Sequence, residues 1–319
     1  MTSIDSTPYD LLIVGGGPAG LEAALQAQAK GMRYLLIEKK YVGALIKDTM
    51  AEKKFYHVYG RNTAVLRGML HFPDRVHGSE LVELWQTQAA SLHMTIDTVV
   101  SIQRQDGLFQ VASPTQTYQG TKVILTSGTF ENPRKLHVPG EAGHPNIFYS
   151  LDYYNDYEDK AIMVVGGGNS ALETAIYHGE HNKIVLIVRK DNFAESVTPK
   201  NRAQVEAMVA AGKISVLWQS KLVRIVEQSA TIEHDGTLVE QPFDYLFIHA
   251  GYERPLEFLK SAGIVIEESL GGGKPQFNDH FETNVPGLYL AGGLTGADSV
   301  IESSNQAFDI VNYFTEKAG

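Results

Sequence analysis

The chain has 319 residues, with 37 acidic side chains against 27 basic ones and no cysteine. Its length exceeds the ~250–300 residues at which a single core stops growing, so two domains are expected. The lack of cysteine excludes disulfides, thiolate metal sites, cysteine nucleophiles and dithiol relays, and a net charge of −10 disfavours nucleic acid and anionic membranes as partners. Residues 1–8 read as a short polar tail, and the apolar run 11–14 that follows is too short for a signal segment or a membrane span. A cytoplasmic protein is expected.

Residues 9–14 form an apolar, β-branched run that meets Gly15-Gly16-Gly17-Pro18-Ala19-Gly20, and residues 21–30 then carry apolar side chains at helical spacing. A second apolar run, 34–37, completes a strand–turn–helix–strand unit. After it, Asp106-Gly107 stands as a hairpin turn between Ile102 and Val111, and residues 123–126 read as a buried strand ending at Ser127-Gly128. The same order returns 151 residues later: strand 161–165, Gly166-Gly167-Gly168-Asn169-Ser170-Ala171, helix 172–178 and strand 184–188. Asp235-Gly236 then marks a second hairpin, and strand 245–248 ends at Ala250-Gly251. The fold class is therefore α/β, with two Rossmann-like dinucleotide-binding domains and β-meanders, the second inserted into the first. Expected boundaries are 1–128 with 247–319 for the outer domain and 129–246 for the inner one. A last helix starts near Ser299, where Ser299 and Glu302 fit a capping box and Ile301, Phe308, Val311 and Phe314 suggest the apolar face.

Gly15, Gly17 and Gly20 satisfy G-x-G-x-x-G in the required strand-to-helix context, with Pro18 and Ala19 between them. Glu38, followed by Lys39, stands 18 residues past the third glycine, where a carboxylate can accept from a ribose diol. An unphosphorylated dinucleotide ribose is expected there. In the second unit Gly166, Gly168 and Ala171 form the allowed variant, with Asn169 and Ser170 opening the helix, and the same spacing lands on Arg189, followed by Lys190. A cation pair there favours NADPH over NAD(H); a solvated strand end is the alternative. Of the eleven histidines none forms an H-x-x-x-H pair, so no metal is expected. Trp85 and Trp218 read as core. No side chain stands out as an acid–base catalyst.

On these motifs the chain resembles, along essentially its whole length, the low-molecular-weight thioredoxin reductase-like flavoproteins, a group that includes thioredoxin reductase-type ferredoxin–NADP⁺ reductases and bacillithiol disulfide reductases. The resemblance implies an FAD domain formed by the outer segments and an inserted NADPH domain. It places FAD on Gly15, Gly17, Gly20 and Glu38, and on a second motif at residues 283–292. Gly128, Gly251, Gly292, Gly293 and Ile301 join the cofactor-binding set, with the helix near Ser299 aimed at the flavin and hinges near Gly128 and Gly251. The implied enzyme takes hydride from NADPH onto flavin N5; a homodimer is implied as well.

The departures carry mechanism. The thioredoxin reductase dithiol falls at Tyr149 and Asp152, and the cysteine of the bacillithiol disulfide reductases falls at Ala19. The usual Gly-Asp of the second FAD motif is Gly292-Gly293, and the third arginine of the NADPH cluster is Ala194. Electrons must then pass directly from flavin to an acceptor, a small molecule or a small redox protein such as ferredoxin or flavodoxin. A basic face at Lys47, Lys53, Lys54 and His57, in the loop that runs through Gly60, would suit an acidic carrier, while a plain solvated loop face is the favoured alternative. A ring from Tyr149, Tyr153, Tyr154 or Tyr157 near the flavin, or simple packing, are both open. The contrasting reading is a non-catalytic flavin- or nucleotide-bound sensor.

Overall fold

The computed structural model describes residues 7–57, 64–129, 132–151, 157–268 and 273–316. Asp152, Tyr153, Tyr154 and Gly60, singled out above, lie outside them. Two compact units form: one gathers the chain up to His57, residues 64–132 and the chain from Glu253 onward, and the other is Pro133–Tyr252.

The outer unit is built on five parallel strands in the order Leu288–Leu290, Val123–Leu125, Leu11–Val14, Tyr34–Glu38, Met94–Ile96. Leu11, Leu12 and Ile13 are fully buried, as expected of a central strand covered on both faces. The helix Pro18–Ala29 packs on this sheet through Ala23, Ala24 and Ala27, whose small side chains admit the last helix, Val300–Glu316, with Ala307, Ile310 and Val311. Ser299 Oγ accepts from Glu302 N at 3.1 Å, while the Glu302 carboxylate reaches Asp298 N, one residue earlier than a regular capping box would place it. Burial, with Asp298 beside it, raises the Glu302 pKa. Ile301, Val311 and Phe314 are buried; Phe308 is half-buried under the Arg67 guanidinium.

The inner unit repeats the plan, with parallel strands in the order Ile147–Phe148, Tyr245–Ile248, Ala161–Val165, Lys183–Ile187, Ile214–Leu217. A boundary at 246/247 would cut its strand Tyr245–Ile248, which pairs on both edges; the units part instead at Tyr252/Glu253. Each unit carries a three-stranded antiparallel meander, Ser101–Gln105, Leu108–Ala112 and Thr117–Gly120 in one, Ser220–Val226, Ser229–His234 and Thr237–Pro242 in the other. Both Asp-Gly hairpins hold positive φ at each central residue, 51° and 84° for Asp106 and Gly107, 48° and 73° for Asp235 and Gly236. That is the mirror turn whose twist matches paired strands.

Where the chain leaves the outer unit and returns to it, Glu253 N donates to Asn132 O at 2.8 Å. Just inside the inner unit, Pro133 bridges Tyr252 and Arg134 N donates to Gly251 O at 2.9 Å.

One buried carboxylate ties the outer unit together. Glu22, fully buried on the first helix, accepts from Gln26 Nε2 (2.8 Å), Met69 N (2.8 Å), Leu70 N (2.7 Å) and Ser304 Oγ (3.2 Å). A loop and the last helix thus close on the first helix through a single side chain. Glu22→Ala orphans the buried Leu70 N–H and the part-buried Met69 N–H, so we expect about 3 kcal/mol of lost stability, read as an earlier urea midpoint. A midpoint within about 0.5 kcal/mol of wild type would show that water replaces the carboxylate.

Candidate dinucleotide sites

In the outer unit, the turn after Leu11–Val14 is closed by glycine at each point of contact. Gly15 has φ +111°, and a Cβ on it would stand 2.7 Å from Thr126 O. A Cβ on Gly20 would stand 1.8 Å from Gly15 O, so only glycine lets the helix rest on the turn. Gly17 differs: a Cβ there meets nothing within 4 Å, which leaves its backbone open to a ligand. Pro18 opens the helix, Ala19 is buried, and no side chain caps the first turn at Gly17. Unlike the helices begun by Thr198 and Ser299, this one keeps its N–H groups for something else.

Glu38, 8% exposed, accepts from Gly16 N at 2.5 Å and Lys40 N at 3.0 Å, one bond on each oxygen. Each oxygen keeps a lone pair for a hydroxyl. Lys39 is exposed at the strand end. Gly43 N donates to Gly16 O at 3.1 Å and ties the loop after Glu38 to the glycine turn.

Thr126 Oγ1 donates to Val14 O (2.9 Å) and Gly15 O (2.8 Å), and Gly128 follows at φ +72°. Gly292 N donates to Gln306 Oε1 at 2.8 Å, and Thr295 Oγ1 reaches the same oxygen at 2.8 Å. A Cβ on Gly292 would lie 3.6 Å from that of Ala19, and one on Gly293 would lie 3.0 Å from Thr129 Oγ1. The aspartate that the family resemblance implies at Gly293 would meet the Thr129 hydroxyl, which would have to turn aside. Ile301, in the first turn of the last helix, is buried. Thr126, Gln306, Gly43 and Thr129 escaped the sequence; the Thr126-Ser127-Gly128 strand ending is the signal that marks the first.

In the inner unit Gly166 has φ +144°, a Cβ on it would lie 3.0 Å from that of Ala171, and Gly168 is as open as Gly17. Gly168 begins the helix Asn169–His178 with no side-chain cap, and Ser170 is exposed in its first turn. Asn169 Oδ1 accepts from Thr198 N and Asn201 Nδ2, each at 3.0 Å. Arg189 and Lys190 are exposed just past the strand Lys183–Ile187, and Gly251 has φ +91°.

Tyr149 donates to Glu141 Oε1 at 2.8 Å under the Lys135 ammonium, 3.1 Å from the ring centroid. Burial and the Glu141 charge push its pKa upward. Burial also acts to raise the Glu141 pKa, but donation from Leu136 N, Tyr149 and Val138 N outweighs it and the net shift is downward. Tyr157 lies tilted against Tyr245 at 4.1 Å, and buried His178 stacks on Phe247 at 5.0 Å. Trp85 is fully buried, whereas Trp218 is half-buried against Phe193. Lys54 is exposed and Lys47 and Lys53 half-exposed; His57 is anchored, Nε2 lying 2.6 Å from Phe72 O. Among the described residues no group of His, Asp and Glu is arranged to hold a metal ion, and no helix is long and apolar enough to cross a membrane.

The family model for pyridine nucleotide-disulphide oxidoreductases matches residues 12–292. Ferredoxin–NADP reductase 1 of Lysinibacillus sphaericus is 27% identical, over 94% of this chain and 86% of the relative. Bacilliredoxin reductase Bdr of Bacillus subtilis is 25% identical over 91% of each. In fold, the bacillithiol disulfide reductase Bdr of Staphylococcus aureus superposes with a TM-score of 0.88 at 23% identity, over 98% of this chain and all of that one. With two uncapped glycine turns in two parallel sheets, and this match across most of its length, the chain belongs to the pyridine nucleotide-disulphide oxidoreductase family, as a flavin-dependent oxidoreductase of thioredoxin reductase-like architecture.

Proposed function

We propose that the chain is an FAD-dependent NADPH oxidoreductase that delivers electrons from the flavin to its acceptor with no dithiol relay. The observation that carries this reading is that both dinucleotide turns are kept in a chain without a single cysteine. When bound, FAD supplies the two-electron chemistry, taking it from NADPH and passing it on.

The residues present fit such a group. In the outer unit the open backbone at Gly17 and the uncapped first turn receive the pyrophosphate, and Glu38 receives the adenosine ribose. Gly128, Gly292, Gly293 and the N-terminal turn with Ile301 face the flavin half. In the inner unit Gly166, Gly168, Asn169, Ser170 and Ala171 hold the NADPH pyrophosphate, and Arg189 with Lys190 holds its 2′-phosphate. Lys39 and Gly251 complete the set.

Two relatives are named for ferredoxin and bacilliredoxin. The missing thiols support a carrier that takes electrons without disulfide exchange, or a small molecule. An acidic carrier would meet a chain of net charge −10, so its docking depends on local cations such as Lys47 and Lys54.

Anaerobic titration tests the reading. The purified protein is expected to be yellow and to bleach with a single equivalent of NADPH per flavin, where an enzyme with a redox disulfide would consume a second. A yellow protein indifferent to NADPH and NADH would overturn the enzymatic reading. A colourless one would remove FAD.

A further inference from the structure

We propose that Arg202 is a third cation of the 2′-phosphate site, supplying from a neighbouring helix the charge that the strand-end loop lacks at Ala194. This rests on the reading of the inner unit as the NADPH-binding one. Arg202 lies on the helix Pro199–Ala210, and its Nη1 donates to Asn192 Oδ1 at 3.0 Å. Asn192 stands three residues after Arg189, in the same exposed loop. The guanidinium also lies over the ring of buried Phe193, 5.5 Å from its centroid. Two independent contacts therefore hold this charge against the loop that begins with Arg189 and Lys190.

One of the five guanidinium donors is used on Asn192, which leaves the others for an anion. Among the described residues, Arg189, Lys190 and Arg202 form no ion pair, whether with Asp191 and Glu195 of the same exposed loop or with any other acid. A dianionic phosphate at this strand end would draw on charges that no ion pair already holds.

The helix bearing Arg202 is also fixed to the dinucleotide turn. Thr198 Oγ1 accepts from Asn201 N at 3.2 Å and so starts the helix, and Thr198 N and Asn201 Nδ2 both donate to Asn169 Oδ1. Asn169 is the first residue of the helix that follows the glycine turn. The loop itself returns to the turn through Ala194 N, which donates to Gly167 O at 2.8 Å. Phosphate-binding backbone and Arg202 are thereby parts of one rigid arrangement.

Calorimetry on the flavin-loaded protein with 2′,5′-ADP and with 5′-ADP, which lacks the 2′-phosphate, separates the possibilities. Wild type is expected to prefer 2′,5′-ADP. Arg202→Ala and Arg202→Met are both expected to weaken 2′,5′-ADP about tenfold and to leave 5′-ADP within about twofold, with Arg202→Lys between them and wild type. Arg202→Met keeps an apolar stem over Phe193, so equal losses in the two variants assign the effect to charge. The proposal is overturned if both variants keep the wild-type ratio of the two affinities, or if both nucleotides weaken in parallel. If wild type itself shows no preference, the NADPH reading falls instead.

Discussion

Gly17→Val is expected to fold with wild-type stability and to purify with most of its flavin lost. A Cβ at this position meets nothing within 4 Å, so the protein alone has no reason to object to a side chain. Any penalty must come from what approaches the turn. A branched side chain in that space keeps a pyrophosphate off the backbone N–H groups, and losing one or two charge-assisted bonds weakens binding by about 10- to 100-fold. Gly20→Ala is the contrasting control. Its Cβ would stand 1.8 Å from Gly15 O, so it should unfold or aggregate before any ligand is considered. Apo-protein thermal melting together with flavin content on purification distinguishes the two; a Gly17→Val protein that retains stoichiometric flavin would place the pyrophosphate elsewhere.

Arg189→Glu is expected to lower kcat/KM for NADPH by about a hundredfold, roughly 3 kcal/mol, and to leave NADH within about threefold. Arg189 is exposed and forms no ion pair among the described residues, so its replacement disturbs little in the fold. The whole effect then belongs to the nucleotide: a cation that pairs with the 2′-phosphate becomes an anion that repels it. NADH carries only a hydroxyl at that position and is indifferent to the change. Steady-state rates with both nucleotides settle the matter, and a parallel fall in the two would assign Arg189 to general support of the strand end.

Features encoded within a few residues of each other were legible in the sequence. Both strand–turn–helix units, both Asp-Gly hairpins and the start of the last helix follow from local periodicity and turn chemistry. Features made by distant pairs were hidden. Glu22 sits in an alanine-rich helix and looks like an ordinary surface acid, yet its partners Met69 and Leu70 lie 47 and 48 residues away, and Ser304 lies 282 away. Arg202 reads as one more charge on a polar helix until the bond to Asn192 shows which loop it touches. Gln306 and Thr295 converge on Gly292 only once the last helix is folded against its strand. Where the inner unit ends is hidden for a related reason: the run 245–248 has the local pattern of a strand, but its place between two other strands of that unit is a matter of topology.

The single backbone bond between Asn132 and Glu253 also bears on how such a chain can arise and change. The outer unit presents the two cut ends of its own polypeptide already side by side, so whatever is spliced between them need not bridge any distance. To its host, the inner unit is a long loop. Loop-closure entropy rises by about 0.6 kcal/mol for each doubling of length, so a flexible passenger of over a hundred residues would cost its host about 3 kcal/mol more than a short turn, and one that folds with its own ends adjacent costs less. A gene that gains, loses or exchanges this module keeps the outer sheet intact, and the two halves of the chain are free to drift at different rates.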